Sequence, residues 1–381
     1  MCEYMLPEFK GENIQTVDCG DGTVMTVVPN TDAAAYLEYL EILRQCGFHM
    51  FAQPSKIKEN LFATYIKDGI YVHAYFTAYN STARIICGSA EMLPSQKGST
   101  EPSKKCDPLM TLVGQPSYMN CGQGHVFLLP DGRLIVYDGG DLYADRPDYM
   151  YEELRRVAPD PEHMVVAAWF MSHPHDDHQH GFEEFIEKHA DDATVKIESV
   201  VYNYGPSDIY QFVRNDGIEE NGFAEAENMR KKVAKYLPHV RTVKAHTGQV
   251  LRYGDVSVEV LFTVEDYLPK TLDFVNSASL VIRLYIGDRT ILMLADTTHS
   301  SGRMLENMYG EYLASDMVQI AHHGMWASHS SLYRLIAAPI LIWPNNSEWA
   351  DKWREDKAVA TALSYAKEVY LANTCGATVK I

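Results

Sequence analysis

Strand-like alternation of apolar and polar positions opens the chain. Ile14–Val17 and Thr23–Val28 place apolar residues at every second position on either side of Asp21-Gly22, a strong hairpin cue. Asn30-Thr31-Asp32 then offers cap chemistry ahead of Ala33–Cys46. There Tyr36, Leu37, Leu40, Ile42 and Leu43 recur at roughly helical spacing before Gly47. Runs at Leu61–Ile66, Ile70–Phe76 and Thr82–Cys87 predict three more strands, so residues 11–90 read as a small α+β unit. It gathers no titratable groups at ligand spacing, and its His49 and His73 stand alone. Residues 90–108 are rich in Ser, Pro, Lys and Gly and read as a linker. The expected division is therefore 1–107, an accessory α+β domain with its linker, and 108–381, a second domain. No internal repeat is detected.

In the second segment the pattern predicts strands at Met110–Val113, His125–Leu129 and Leu134–Tyr137, with a reverse turn at Pro130-Asp131-Gly132. A helix follows at Tyr149–Val157, then an apolar strand at Met164–Met171, and the next helix is expected to start at Gly181. Strands and helices alternate from there to a last strand at Thr378–Ile381. The expectation is a sandwich of two sheets with outer helices. Three apolar runs end in metal-binding residue types: Met171 leads into His173, Leu294 into Asp296, and Ile320 into His322. Loops at the carboxyl ends of neighbouring strands meet on one sheet edge, so these residues are expected to form one site.

The most informative of them is His173-Pro174-His175-Asp176-Asp177-His178, an H-x-H-x-D-H pattern. Imidazole nitrogens suit zinc and its neighbours, and a carboxylate adds a harder oxygen ligand. Histidines at i and i+2 followed by Asp-His cannot all point one way from a regular element. They suit a tight loop wrapped around two metals.

This segment resembles the signature loop of the metallo-β-lactamase fold, a superfamily of mostly dinuclear metallohydrolases. Gly122-Gln123-Gly124-His125 through Asp138-Gly139-Gly140 resembles its opening hairpin. Asn276-Ser277-Ala278-Ser279-Leu280, the strand ending at Asp296, and His322-His323-Gly324 resemble the domain of bacterial DNA-uptake (competence) proteins. The resemblance spans residues 108–381 and implies an αββα sandwich. It further implies one metal on His173 and His175, a second on Asp177 and His178, and Asp296 between them. The last ligand is then His322 or His323, with His323 favoured because it directly precedes Gly324; the other supports a ligand or faces substrate.

Two departures from the family pattern stand out. Asn276 occupies the place of a third histidine on the first metal, where an amide oxygen is a poor zinc ligand. His180, His246 and His299 are alternatives, His299 foremost. Trp343-Pro344-Asn345-Asn346-Ser347-Glu348-Trp349 also carries no histidine where competence-like domains have a His-Pro motif. Asp176 and His180 are candidates to orient the ligating histidines. Tyr202, Tyr204, Trp326 and Trp349 are candidates to line a substrate pocket.

Composition narrows the function. With 381 residues, 46% of them hydrophobic, the chain can bury a large core. Residues Met1–Glu8 lack the charge and apolar run of a secretory signal, and no stretch is long enough to span a membrane. Seven scattered cysteines, an odd number, suit reduced thiols in the cytoplasm better than a disulfide scaffold. A net charge of −18 disfavours long nucleic acid as a partner. The cluster Arg230, Lys231, Lys232, Lys235, Arg241 and Lys244 reads as a solvated helix face. The expectation is a cytoplasmic hydrolase with two divalent ions, zinc by default with manganese or iron accommodated, and Asp177 and His323 catalytic. Two such ions about 3.5–4 Å apart share a water and lower its pKa, so that a metal-bound hydroxide attacks the substrate. The competence-like pattern favours a small phosphodiester or phosphorylated substrate. A carboxylic ester, lactone or amide is the alternative bond, and a non-catalytic metal-binding module is the alternative class. Oligomeric state is not legible in the sequence.

Overall fold

The computed structural model describes residues 6–381 except 98, 100–103, 115–121, 142–145, 147, 212, 216–217, 220–221 and 374. Part of the expected linker therefore lies outside the described residues, as do Cys2 and Cys121. Cys19, Cys46, Cys87, Cys106 and Cys375 are free thiols.

The N-terminal strands form an antiparallel sheet in the order Gln15–Asp18, Val24–Val28, Thr82–Ser89, Ile70–Thr77, Asn60–Lys67, His49–Met50, with Ser55–Ile57 also pairing Asn60–Lys67. One face carries Val28, Val72, Ala74, Phe76 and Ile85 and is covered by the helix Ala33–Gln45 through Tyr36, Leu40 and Leu43. The helix starts where the Asp32 carboxylate accepts the Ala35 N–H at 2.8 Å. The opposite face, with Met25, Val27, Phe62, Tyr71, Tyr75 and Ile86, joins the core of the rest of the chain. Burial on both faces explains why these strands read as nearly continuous apolar runs.

The remaining residues form an αββα sandwich. One sheet runs in the order Arg241–Lys244, Ser199–Tyr202, Met164–Phe170, Leu134–Tyr137, His125–Leu128, Leu109–Leu112, Ala377–Lys380. Its first four strands are parallel and the others antiparallel. The other sheet runs Val250–Tyr253, Val256–Phe262, Val281–Ile286, Arg289–Met293, Met317–Gln319, Ile340–Trp343, Glu368–Leu371, with the last four parallel. Their inner faces meet through Phe127, Ile135, Tyr137 and Phe170 on one side and Val258, Ile282, Leu284 and Met293 on the other. Alternate residues of the same strands turn outward beneath helices Tyr149–Val157, Asp176–His189 and Gly222–Tyr236, or beneath His299–Tyr309, Ser330–Ile336 and Lys357–Tyr365.

One expected boundary shifts. The helix expected at Gly181 begins five residues earlier, at Asp176, with His175 as its N-cap. Two aspartates in the first turn favour that start by opposing the helix dipole. Asp177 and His178 are therefore helical, and the loop ends at His175. Among the described residues no helix is long and apolar enough to cross a membrane.

Candidate metal centre

Four strand ends converge on one edge of the sandwich. Leu134–Tyr137 delivers Asp138, whose N–H binds the carbonyl of Phe170 at 2.8 Å in the neighbouring strand. Met164–Phe170 delivers Ser172, His173 and His175. From the second sheet, Arg289–Met293 delivers Asp296 and Met317–Gln319 delivers His322 and His323. The N–H of His322 donates to the Ala295 carbonyl at 3.0 Å, and that of Leu280 to the Ser172 carbonyl at 2.9 Å, so the loops of both sheets are stitched together.

Two groups of three ligand-type residues result: His173, His175 and Asp296; and Asp177, His178 and His323. In the first, His173 Nε2 lies 3.1 Å from His175 Nδ1 and 3.9 Å from Asp296 Oδ2. In the second, His323 Nε2 lies 3.2 Å from Asp177 Oδ2, and His178 Nε2 lies 3.9 Å from Asp177 Oδ1. Asp296 also reaches the second group, with Oδ1 3.3 Å from His178 Nε2 and Oδ2 3.6 Å from His323 Nε2. Ligands held 2.0–2.1 Å from a tetrahedral ion stand about 3.3–3.4 Å apart, close to these separations.

The surrounding hydrogen bonds set the tautomers. Nδ1 of His178 donates to Asp138 Oδ2 at 2.9 Å, Nδ1 of His173 donates to Ser172 Oγ at 3.0 Å, and Nδ1 of His323 donates to the Pro344 carbonyl at 3.3 Å. Each arrangement keeps a proton on Nδ1 and turns Nε2 towards the centre, where its lone pair would be the one offered to a cation. Ser172 Oγ in turn donates to Asp138 Oδ2 at 2.8 Å. His178 Nε2, His323 Nε2, Asp296 Oδ1 and Asn276 Oδ1 are buried with no hydrogen-bond partner among the described residues. Orphaned buried donors and acceptors are costly, and a cation satisfies these with the donor types present.

The carboxylates set the charge of the centre. Burial depresses His173 well below its ordinary value, helped by His178 and His175, so it is a neutral ligand. Burial also opposes charge on His178 and His323. Asp296 and Asp177 outweigh it, holding His178 well above its ordinary value and His323 up at about 9, so each ring holds a second proton on Nε2 that a cation would displace. Burial opposes ionisation of Asp177 too, but His178 and His323 keep it ionised.

The local backbone is unusual. Asp138, Ala295, His322 and His323 all have positive φ, from 47° to 60°. Gly324 follows at φ +83°, where an added Cβ would lie 2.3 Å from the Trp343 ring nitrogen. Similarly, a Cβ on Gly181 would lie 2.1 Å from the Gly139 carbonyl. Only glycine there lets the helix carrying His178 approach Asp138.

The other candidates fall in different places. His322 stands at the rim, its side chain 22% exposed against 1% for His323. Its Nε2 is 3.8 Å from Asp296 Oδ2 and accepts from Asn276 Nδ2 at 3.2 Å. Asn276 is thus beside the centre. His180 is drawn aside by Asp141 at 3.8 Å and Glu225 at 3.3 Å, whose hydrogen bonds hold it up at about 10. Exposed His299 stacks on His329, ring centroids 5.8 Å apart. His246 is buried between Glu265 at 2.8 Å and the Tyr71 hydroxyl at 2.7 Å. Neither His180, His299 nor His246 joins the two groups. Asp176 is exposed and accepts the Asp177 N–H at 2.9 Å rather than orienting a histidine. Tyr202 and Tyr204 are buried in the core instead of lining a pocket, whereas Trp326 lies at the rim and Trp349 is half-buried on the helix Ser347–Trp353.

Of the basic cluster, Lys231 and Lys235 are exposed on the helix Gly222–Tyr236 as expected, whereas the other four are engaged with the rest of the chain. Arg230 pairs with Asp21 at 2.9 Å, and Lys232 with Glu183 and Glu187 at 2.9 Å each. Lys244 is buried against Asp21 at 3.5 Å, and Arg241 donates to the carbonyls of Glu91 and Leu93.

Sequence reasoning missed three residues of the centre: Asp138, Ser172 and His125. His125 is fully buried beside His178 and His323, with neither ring nitrogen partnered among the described residues, and burial lowers it to about 3. A lone His or Ser in a strand carries no spacing signal. Asp138, which opens an Asp-Gly-Gly turn, does.

No protein-family model and no curated protein sequence matches the chain. Among solved structures it is similar to the metallo-β-lactamase-fold protein YhfI from Bacillus subtilis, at 17% identity over 72% of this chain and 99% of that one, with a TM-score of 0.43. Unliganded yeast PDE1 matches at 12% identity over 72% and 99%, with a TM-score of 0.42. CmlA, a diiron β-hydroxylase from Streptomyces venezuelae, matches at 11% over 74% of this chain, which spans only 55% of CmlA, with a TM-score of 0.43. Neither substrate nor metal follows from likenesses this distant.

Proposed function

We propose that this chain is a dinuclear metal-dependent hydrolase of small phosphodiesters or other small phosphorylated compounds, related to the metallo-β-lactamase-like domain of competence proteins. The observation that carries the reading is the pair of ligand triplets meeting at Asp296, with His178 Nε2, His323 Nε2 and Asp296 Oδ1 buried and without a hydrogen-bond partner among the described residues. His173, His175 and Asp296 hold one cation; Asp177, His178 and His323 hold the other, with Asp296 between them. Nitrogen-rich donors make zinc the default, and the carboxylates accommodate manganese or iron. When bound, two such ions supply Lewis acidity and lower the pKa of water towards neutrality.

The chain's own residues do the rest. Asp138 and Ser172 fix the histidine tautomers. Asp177 stays a carboxylate and orients the nucleophilic water by accepting a hydrogen bond from it. His322, at the rim, accepts from Asn276 at Nε2 and so carries its proton on Nδ1, free to donate to a substrate oxygen. The Asn276-to-Leu280 pattern supports phosphorus over carbon, and the charge of −18 supports a small substrate over a polymer.

The test is metal content per chain by elemental analysis beside hydrolysis of bis(p-nitrophenyl) phosphate. About two metals with turnover is the expected result. Two metals with turnover of aryl esters alone would move the chemistry to carbon. Fewer than one metal after chelator-free purification would overturn the hydrolase reading.

A further inference from the structure

Four of the five tryptophans, Trp326, Trp343, Trp349 and Trp353, lie between positions 326 and 353, just after the His322-His323 turn. Trp343 has a clear structural task. It is buried, and its Nε1 donates to the His323 carbonyl at 2.7 Å. Trp326 has none of that kind. It is 61% exposed, more than any other large hydrophobic residue described, and its backbone is left-handed at φ +49°. Bulky residues avoid that region, and strained backbone persists where the surroundings enforce it, commonly at binding sites. Ser328 two residues on is also left-handed, at φ +56°, so four non-glycine residues from His322 to Ser328 (His322, His323, Trp326 and Ser328) hold this costly backbone.

That shape presents the Trp326 indole beside the metal centre. Its ring lies 5.9 Å from the His322 ring, and His322 Nε2 lies 3.8 Å from Asp296. The Trp353 ring also packs against it, 5.0 Å away and steeply inclined at 64°. Trp353 closes the helix Ser347–Trp353 and is half-buried, with its Nε1 buried and unpartnered among the described residues, so it is a fixed brace. Trp349, one turn earlier, lies under the Lys352 ammonium at 4.2 Å. Neither neighbour covers the Trp326 indole, which stays 61% exposed and so keeps apolar ring surface for something else. Folding gains little from an exposed tryptophan, whereas a flat ligand gains an apolar, polarisable surface.

We infer that Trp326, braced by Trp353, is a stacking platform for a flat aromatic group of the substrate. The substrate class is then a small phosphodiester bearing an aryl ring or nucleobase close to phosphorus. This rests on the phosphodiesterase reading above. Only His322 separates the platform from Asp296, so a group one bond or one sugar from phosphorus reaches it.

The test is calorimetric binding of phenylphosphonate and cyclohexylphosphonate to the zinc-loaded protein. The two match in charge and approximate bulk but differ in flatness. Wild type should prefer the phenyl compound by about tenfold, the worth of one good stacking contact. Trp326→Ala should reduce that preference below twofold at an unchanged melting temperature, and Trp326→Phe should keep most of it. Equal binding of both compounds by wild type, or a preference that survives Trp326→Ala, overturns the platform. A Trp326-dependent phenyl preference without hydrolysis of bis(p-nitrophenyl) phosphate would uphold the platform while the hydrolase reading falls.

Discussion

Asp138→Asn tests whether the centre depends on enforced tautomers. The Asp138 carboxylate is fully buried and accepts four hydrogen bonds: from Ser172 N and Oγ at 2.8 Å each, His178 Nδ1 at 2.9 Å and Gln123 Nε2 at 3.1 Å. Asparagine keeps the shape but replaces one acceptor oxygen with a donor. Three of the four donors, including His178, converge on Oδ2. If the amide nitrogen takes that place, His178 must accept at Nδ1 and move its proton to Nε2. The lone pair that faces the centre is then gone. If the amide turns the other way, Ser172 N meets a donor instead. Loss of such a supporting contact costs about 10–100-fold in metal affinity, or roughly 1.4–2.7 kcal/mol. Zinc competition against a chromophoric chelator measures it. One of the two sites should weaken by that factor while the other moves less than threefold. Thermal melts in excess chelator check that the variant still folds. If both sites hold zinc within threefold of wild type, the tautomer argument is wrong.

Asp296→Ala should cost both metals, because Asp296 faces both triplets; elemental analysis should fall from about two ions to well under one. Acid should destabilise the chelator-treated protein through His73, whose neutral form accepts from Thr64 at 2.9 Å and donates to the Thr247 carbonyl at 2.9 Å. Burial, with His246 stacked alongside, lowers it to about 3, so between pH 6.5 and 3 the unfolded chain binds a proton that the folded one refuses. Stability should fall with pH by about 2.7 kcal/mol at pH 4.5 from this residue, and urea denaturation of His73→Gln should show that much less pH dependence. Residues 108–381 expressed alone should be insoluble or lack a cooperative melt, since the cut strips Tyr75 and Arg84 from buried Asp266 and Tyr71 from the His246–Glu265 pair.

Legibility of the chain followed the physics of each signal. The strands Leu134–Tyr137 and Met164–Phe170 and the helix Tyr149–Val157 could be read almost to the residue, because long apolar or periodic runs report burial directly. The helix start at Asp176 was not, since four ligand-type residues in six positions mask the cap and dipole signals that begin a helix. His173, His175, Asp177, His178, Asp296 and His323 drew notice as ligand types placed just after apolar runs. Their supports did not: Ser172 contributes a hydroxyl and His125 a buried ring, roles that exist only in three dimensions. Tyr202 and Tyr204 misled because an aromatic residue at a strand end looks the same in sequence whether it lines a cleft or fills the core beneath it. The interlocking of the N-terminal sheet with His246, Thr247 and Asp266 was equally hidden, for such pairs lie more than 170 positions apart.

What binds these observations together is where the fold concentrates its unfavourable terms. The sandwich interior is apolar, and its strands pair regularly. Yet along the single edge carrying the histidines, Asp138, Ala295, His322 and His323 adopt left-handed backbone at about 1–3 kcal/mol each. Beside them lie buried polar atoms without partners, and Asp296 is ionised against the cost of its burial only because His178, His323 and His322 face it. A chain under no functional demand loses stability by keeping such an edge. The strain cannot relax piecemeal, because Gly139 against Gly181 and Gly324 against Trp343 leave no room for the loops to shift. A ligand that binds only the folded edge stabilises the whole fold by mass action, and the proposed pair of cations would meet these demands together. They would partner the orphaned nitrogens and oxygens, offset the charge of the aspartates, and give the strained turn a reason to persist. The rigidity that makes the edge costly is also what holds His322 and Trp326 at a fixed distance from Asp296, where a substrate would need them.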